Sequence, residues 1–232
     1  MSAAAAPPEF ERRNEVRGAP PNFDRIARLY RWMERLSFGP FLWRCRCAFL
    51  REMCGCRRAL IFGDGDGRFT ARLLRTNPAV RVDAIDASLA MLGILVRRAG
   101  RNAGRVRTTC MDAREWQSGE IAPDLIVTHF FLDCLASSEV QSLAMRVRGS
   151  APPGALWAVS EFAVPESRFG RWMARPVVAA LYRAFGILTG LRQRRLPDHR
   201  AALRAAGFDL LQEKRWLAGL LVSELWTVSS EQ

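Results

Sequence analysis

Lysine is almost missing from this chain: Lys214 is the only one among 35 basic residues, and the rest are arginines. The formal net charge is nonetheless +12 at pH 7. Such a surplus can mark a nucleic-acid binder. Here the arginines are spread along the chain, with no run of five or more basic residues, so no basic tail is present. A compositional bias toward arginine leaves the same mark, and nucleic acid stands as the lesser candidate partner. Long hydrophobic runs are also missing. The most apolar region, Phe169 to Leu191, is broken by Arg171, Arg175 and Arg183, whereas a spanning helix needs about 20 mainly apolar residues. The region reads better as an amphipathic helix pair covering a pocket, with peripheral membrane contact as the second reading. Met1 to Pro8 is rich in Ala and Pro and has neither the basic flank nor the apolar core of a secretory signal. The cytoplasm is the expected compartment, and the six cysteines are expected as reduced thiols.

Zinc spacing is missing too. Cys45-x-Cys47 and Cys54-x-Cys56 place one residue inside each pair, whereas zinc sites leave about two to four. Cys45 and Cys47 also fall in a helical pattern, where positions two apart diverge. No metal site is expected.

What is present is a strand-then-helix rhythm. Apolar or β-branched runs at 59–63, 80–86, 106–111, 125–129 and 154–161 alternate with helical patterns at 68–75, 88–98 and 139–148. A helix at 199–206, stopped by Gly207, leads into a closing antiparallel pair at 208–215 and 220–228. Alternation of this kind implies an α/β fold: a Rossmann-like, mostly parallel seven-stranded sheet with helices on both faces and the last strand antiparallel. Residues 1–21 read as a loose leader, and 22–232 as a single domain. N-terminal helices at 22–56 and a helical insertion at 165–196 are expected to roof the pocket. Ligands in such sheets bind beyond the carboxyl ends of the strands. Asp64, Asp86, Asp112 and His129 all fall at those ends.

The glycine loop Gly63-Asp64-Gly65-Asp66-Gly67 follows the first strand and opens a helix. Glycines let the backbone approach a ligand closely. A dinucleotide loop wants a third Gly or Ala near the helix start, where Arg68 or Thr70 stands here. Asp64 and Asp66 would also repel a pyrophosphate, so a phosphate-free cofactor with a positive centre suits the loop better. Asp86 lies 19 residues beyond Gly67 (86 − 67), placed to accept both hydroxyls of a ribose. Asp112 adds a second acid at the next strand end, placed for an adenine amino group. An acid there can equally cap a helix.

These segments resemble class I S-adenosylmethionine (SAM)-dependent methyltransferases. Residues 59–67 are similar to the first motif of that family, Asp86-Ala87-Ser88 with Met91-Leu92 to the second, Asp112-Ala113 to the third, and Pro123-Asp124-Leu125-Ile126 to the fourth. The resemblance spans roughly 23–228. It is strongest to the ubiquinone/menaquinone-biosynthesis group, through Phe23-Asp24-Arg25-Ile26-Ala27 to Tyr30, Ser37-Phe38-Gly39, Ser160-Glu161-Phe162 and Leu203 to Phe208. The resemblance implies SAM as cofactor, held by Gly63, Asp64, Gly65, Gly67, Asp86, Ala87, Met91, Asp112, Ala113 and His129. Three departures stand out. Ile61 replaces the acid expected two positions before the first glycine, Arg31 replaces an acid after Tyr30, and residues 192–199 replace a Tyr-rich stretch. The methyl donor therefore carries over better than a quinone acceptor.

Methyl transfer from SAM needs alignment and exclusion of water, and a base only if the nucleophile is protonated. His129 is the first candidate base, with lining the cofactor site as its plainer role. Asp133 is the second, with helix capping as its alternative. Glu161 lies within reach from the fifth strand, and His199 reads as structural or exposed. Thr128-His129-Phe130-Phe131 stands where enzymes acting on the amino groups of nucleic-acid bases carry an Asn-Pro-Pro-Tyr element. Phe38, Phe41, Trp43, Phe130, Phe131, Phe162, Trp172, Tyr182 and Phe185 supply an apolar pocket or core packing. The leading expectation is methyl transfer to a small apolar or aromatic acceptor. A methyltransferase acting on RNA or protein, a nicotinamide-dependent oxidoreductase and a non-catalytic SAM-binding module follow in that order.

Overall fold

The computed structural model describes residues 40–119, 122–163 and 197–229. The leader at 1–21, the first part of the N-terminal helical region and the insertion at 165–196 lie outside the described residues.

Seven strands form one sheet in the order β3-β2-β1-β4-β5-β7-β6. They are β1 (Arg58–Phe62), β2 (Arg81–Asp86), β3 (Val106–Cys110), β4 (Leu125–His129), β5 (Leu156–Phe162), β6 (Phe208–Trp216) and β7 (Leu221–Val228). β1 to β5 pair in parallel, whereas β7 runs antiparallel to both β5 and β6. The order reverses between β1 and β4, so a crevice opens there at the carboxyl ends. The expected sheet is thus present, with strand bounds close to those read from periodicity.

Among the described residues, five α-helices accompany it: α1 (Phe41–Arg46), α2 (Arg68–Thr76), α3 (Leu89–Ala99), α4 (Ser137–Ser150) and α5 (His199–Ala205). Phe69, Leu73 and Leu74 of α2 and Leu92 and Leu95 of α3 bury against Ile61, Val82 and Val127 on one face. Val140, Leu143 and Val147 of α4 and Leu203 of α5 bury against Phe62, Ile126 and Trp157 on the other. The alternation of strand residues between these two cores is the period-two consequence of the pleat. Local chemistry sets the helix starts. Ser88 Oγ accepts from Met91 N at 3.3 Å, and Asp198 Oδ1 accepts from Ala201 N at 2.9 Å. Glu139 reaches back to the Ala136 amide at 2.7 Å.

Ahead of β1, α1 and a 3₁₀ turn at Glu52–Gly55 occupy part of the region expected as helical. Asn77 holds this segment down, donating to the carbonyls of Met53 and Cys56 at 3.0 and 2.7 Å. Between β3 and β4 the chain makes only a turn among the described residues, where Glu115 N bonds Asp112 O. Among the described residues no helix covers the sheet at that crossover.

Candidate functional site

The loop between β1 and α2 carries its three glycines at positive φ, +64° for Gly63, +58° for Gly65 and +73° for Gly67. The two that matter most differ in what surrounds them. A Cβ on Gly67 would lie 2.6 Å from Leu95 Cα, so this glycine lets the loop seat directly on α3. A Cβ on Gly65 would meet nothing within 4 Å. That stretch of backbone faces open space beyond the carboxyl ends, which is where a ligand can approach it.

Asp86 ends β2 beside this loop. One of its oxygens accepts from Ser88 N at 2.9 Å, and the nearby Gly65 amide favours the charged carboxylate. Burial raises its pKa above the ordinary value. The Ser88 bond leaves Asp86 further acceptor capacity toward the open side of Gly65. Ala87 and Met91 follow at the start of α3, with the Ala87 carbonyl accepting from Cys110 Sγ at 3.7 Å.

The two loop acids are not equivalent. Asp64 turns inward, where Oδ2 accepts from Thr70 N at 2.8 Å and Thr70 Oγ1 at 2.6 Å. Burial pushes its pKa up to about 6, against the Thr70 bonds and the nearby Arg46. Asp66 is neutralised by Arg68 at 2.9 Å and Arg98 at 3.2 Å. Among the described residues, Asp66 has counter-ions in contact and Asp64 has none.

Asp112, just past β3, is held on both oxygens by Arg114 Nε at 2.9 and 3.0 Å. This ion pair lowers its pKa, and Arg114 also reaches Glu139 at 3.4 Å. Asp112 accepts from Arg114 N as well, at 2.9 Å, so it closes a local turn. Ala113 beside it is buried, and its carbonyl accepts from Arg146 at 3.3 Å.

His129 ends β4 on the α2 side. Its ring stands edge-on to Phe69, with centroids 4.5 Å apart. Burial, reinforced by Arg46, holds its pKa well below the ordinary value, so the imidazole is neutral at pH 7. Neither ring nitrogen has a hydrogen-bond partner among the described residues. A site that opposes the imidazolium favours lining over proton abstraction. Phe130 follows with φ +54°, an uncommon conformation for a non-glycine residue, of the kind that clusters at functional sites.

Asp133 lies in a 3₁₀ turn at Leu132–Cys134, on the opposite face of the sheet. It does not cap α4, whose first amide is met by Glu139. Burial raises its pKa, Cys134 Sγ contacts it at 3.5 Å, and His199 provides opposing charge. Sequence reasoning gave Glu161 a minor place, but it is central to this face. It is fully buried on β5, and its Oε1 accepts from Phe131 N at 3.1 Å and Leu132 N at 2.8 Å. Burial and the neighbouring Asp133 push its pKa well above the ordinary value. His199 is neither exposed nor idle: it bonds the fully buried Glu224 at 3.0 Å. Glu224 also accepts from Arg200 at 2.6 Å and Trp226 Nε1 at 2.8 Å. Sequence alone could not find this network, because its members lie on β7 and α5, far apart in the chain.

The aromatic expectation holds in part. Phe41, Phe130, Phe162, Trp216 and Leu217 pack around Leu42, Cys45 and Leu221 at the carboxyl edge, and Phe130 and Phe162 meet at 5.1 Å. Phe131 packs instead against Phe62, and Trp43 is exposed. Phe38, Trp172, Tyr182 and Phe185 lie outside the described residues. The cysteines are separate thiols. Cys45 bonds Val222 O at 3.3 Å, Cys54 bonds Leu50 O at 3.4 Å, and Cys56 approaches Asp124 O at 3.9 Å. Among the described residues no group of three or more His, Cys, Asp or Glu is placed to hold a metal, and no helix is long and apolar enough to cross a membrane.

Residues 59–154, from β1 through the turn before β5, match a protein family described as a methyltransferase domain. The chain has a methyltransferase fold. Among solved structures, that of the SAM-dependent methyltransferase SibL in its apo form superposes with a TM-score of 0.65 at 20% identity, covering 91% of this chain and 60% of SibL. An O-methyltransferase family protein from Burkholderia thailandensis gives 0.66 at 18%, covering 91% and 61%. The N-methyltransferase NodS from Bradyrhizobium japonicum, in complex with S-adenosylhomocysteine, gives 0.58 at 14%, covering 90% and 89%. This chain thus spans about three fifths of the length of the first two. No curated protein matches its sequence. Within the methyltransferase fold, the loop at 63–67 and Asp86 flank the crevice at the point where strand order reverses.

Proposed function

We propose that the protein transfers a methyl group from SAM to a small apolar or aromatic acceptor. The observation that carries this reading is the placement of a positive-φ Gly65, open among the described residues, beside Asp86 at the switch point of a methyltransferase fold. Bound SAM supplies a methyl already activated by a positive sulfur. The chain's residues do the rest. Asp86 accepts the ribose hydroxyls, and Gly63, Gly65 and Gly67 shape the backbone cradle. Asp64, ionised above about pH 6, offers a negative charge near the site in place of the acid missing at Ile61. Ala87, Met91, Asp112 and Ala113 border the adenine end, with Arg114 swinging off Asp112 to free its carboxylate. His129, neutral and buried, lines the cofactor floor, and Asp133 beside Glu161 is the second candidate for taking a proton.

The acceptor class rests on the apolar edge of Phe41, Phe130, Phe162 and Leu221 next to the crevice. Calorimetry with SAM, S-adenosylhomocysteine and NAD tests the cofactor: binding of the adenosyl sulfur ligands and not NAD is expected, and binding of neither overturns the reading. Labelled SAM added to a lysate from a strain lacking the gene tests the acceptor. Label recovered in a small organic-soluble product is expected. Label in RNA or protein would favour the second reading, and SAM binding without any labelled product would favour a non-catalytic module.

A further inference from the structure

The amino ends of β1, β2 and β3, on the side of the sheet away from α2 and α3, form a surface that the methyl-transfer site does not use. Parallel sheets are covered on both faces, yet the β3–β4 crossover supplies no helix here among the described residues. A groove of about 500 Å³ lies on this face, lined among the described residues by Leu60, Ile85, Thr109, Trp116 and Pro123. It adjoins a cleft of about 260 Å³ walled by Arg58, Arg81, Arg105 and Arg107.

Strand register explains the convergence. Arg58 pairs with Arg81, and Asp83 pairs with Arg107. Cross-strand partners share a face, so three arginines from three adjacent strands lie on one side, over a span of about 10 Å. Like charges directly opposite one another cost stability; Asp83, which lines the same cleft, offsets Arg107, while the Arg58 and Arg81 side chains have no acid in contact among the described residues. Asp83 stands 3.9 Å from Arg107. Asp124 is occupied by the backbone amides of Arg57 and Arg58 at 2.7 and 2.8 Å. Glu115 lines the adjoining groove, which Arg58, Asp83 and Arg107 also line. Neither Arg58 nor Arg81 has a side-chain partner among the described residues. Arg105 forms the rigid back of the cleft, its guanidinium spent on the carbonyls of Leu74, Asn77, Pro78 and Val80.

The geometry points to this row of Arg58, Arg81 and Arg107 as a docking surface for the phosphate backbone of a nucleic acid. The arginines are exposed and come one from each of three adjacent strands. That arrangement fits successive phosphates along a strand better than one small anion, and the guanidinium fork suits phosphate oxygens. The surface is at the opposite ends of the strands from the glycine loop, so docking here does not occupy the cofactor crevice. The proposal does not rest on the methyl-transfer reading, since its test measures binding alone.

The test is fluorescence anisotropy with a short labelled single-stranded RNA across a salt series. In the triple variant Arg58→Glu, Arg81→Glu, Arg107→Glu, affinity at low salt is expected to fall at least about tenfold. The slope of log K against log salt should drop by about 2, because each single-strand phosphate contact contributes about 0.7. A charge-matched control, Arg75→Glu, Arg97→Glu, Arg101→Glu, changes α2, α3 and the turn after it, and is expected to shift affinity by less than about threefold. Replacing the three row arginines with lysine should keep most of the binding. Thermal melting of each variant checks that it is folded. Equal losses in the row and control variants would show binding by net charge alone and overturn the proposal. So would an unaffected row variant, or full displacement of the RNA by inorganic phosphate at matched ionic strength.

Discussion

Asp86 shows how one side chain can carry a site. Burial raises its pKa, the Ser88 and Gly65 amides favour its charged form, and it keeps acceptor capacity beyond the Ser88 bond. Losing a charged acceptor of this kind costs about 1.5–3 kcal/mol. Asp86→Ala is therefore expected to weaken SAM about 10- to 100-fold by calorimetry while leaving the fold intact. Asp64 adds a pH signature. With a pKa pushed up to about 6, it is mostly protonated at pH 5 and ionised at pH 7. A cationic ligand favours the ionised form, so SAM affinity should tighten as pH rises through about 6. In Asp64→Asn that dependence should flatten, and an unchanged slope would remove Asp64 from the site. For His129, whose environment opposes the imidazolium, His129→Ala should lower cofactor affinity at least as much as turnover. A loss confined to turnover would instead assign it proton transfer.

At the scale of elements, the glycine loop and the post-β4 turn are fixed by different means. Gly67 lets α2 and α3 close on the loop, and a methyl group there collides with the Leu95 backbone. Gly67→Ala is expected to destabilise by about 1–3 kcal/mol through overpacking, read as a lower urea midpoint with unchanged m-value. Gly65→Ala meets no neighbour; its cost should be the smaller one of a strained φ, with a larger loss in cofactor binding. The post-β4 turn depends on Glu161 Oε1 receiving two backbone amides. Burial and Asp133 raise the Glu161 pKa above its unfolded value, so the folded state holds this proton more tightly. Stability is then highest below the unfolded pKa and declines as pH rises above it. Glu161→Gln keeps an acceptor for the amides and removes that titration. Its melting temperature should match or exceed the parent's at pH 8, with the advantage shrinking toward pH 5. Glu161→Ala, which orphans both amides, should be destabilised at every pH.

For the whole molecule, ligand linkage provides the broadest test. A ligand bound only by the folded state stabilises by about 2.7 kcal/mol at a hundred times its Kd. For a domain of this size each kcal/mol shifts Tm by about 2–4 °C. Saturating S-adenosylhomocysteine should therefore raise Tm by about 5–10 °C, and NAD should leave it unchanged. The sheet separates the two proposed sites to opposite ends of its strands. The carboxyl ends carry the glycine loop, Asp86 and the aromatic edge, and the amino ends carry the arginine row. The +12 charge that looked evenly spread along the chain is locally concentrated because register brings Arg58, Arg81 and Arg107 together.

Periodicity alone determined the strands and helices of the described core and the type of sheet they form. Apolar residues at every second or every third to fourth position leave few other ways to bury a core. It also located the loop at 63–67 and the acids at the strand ends, since crossover rules place those ends on one side of the sheet. Tertiary structure decided which of those acids remain available. Asp66 is spent on Arg68 and Arg98, and Asp112 is held by Arg114, while Asp86 keeps capacity to spare. It also decided that His129 is a neutral buried ring and that Glu161, His199 and Glu224 line a second face. Charge balance and desolvation depend on neighbours brought in from distant strands, and these are set by sheet order and register, which residue spacing along the chain does not encode.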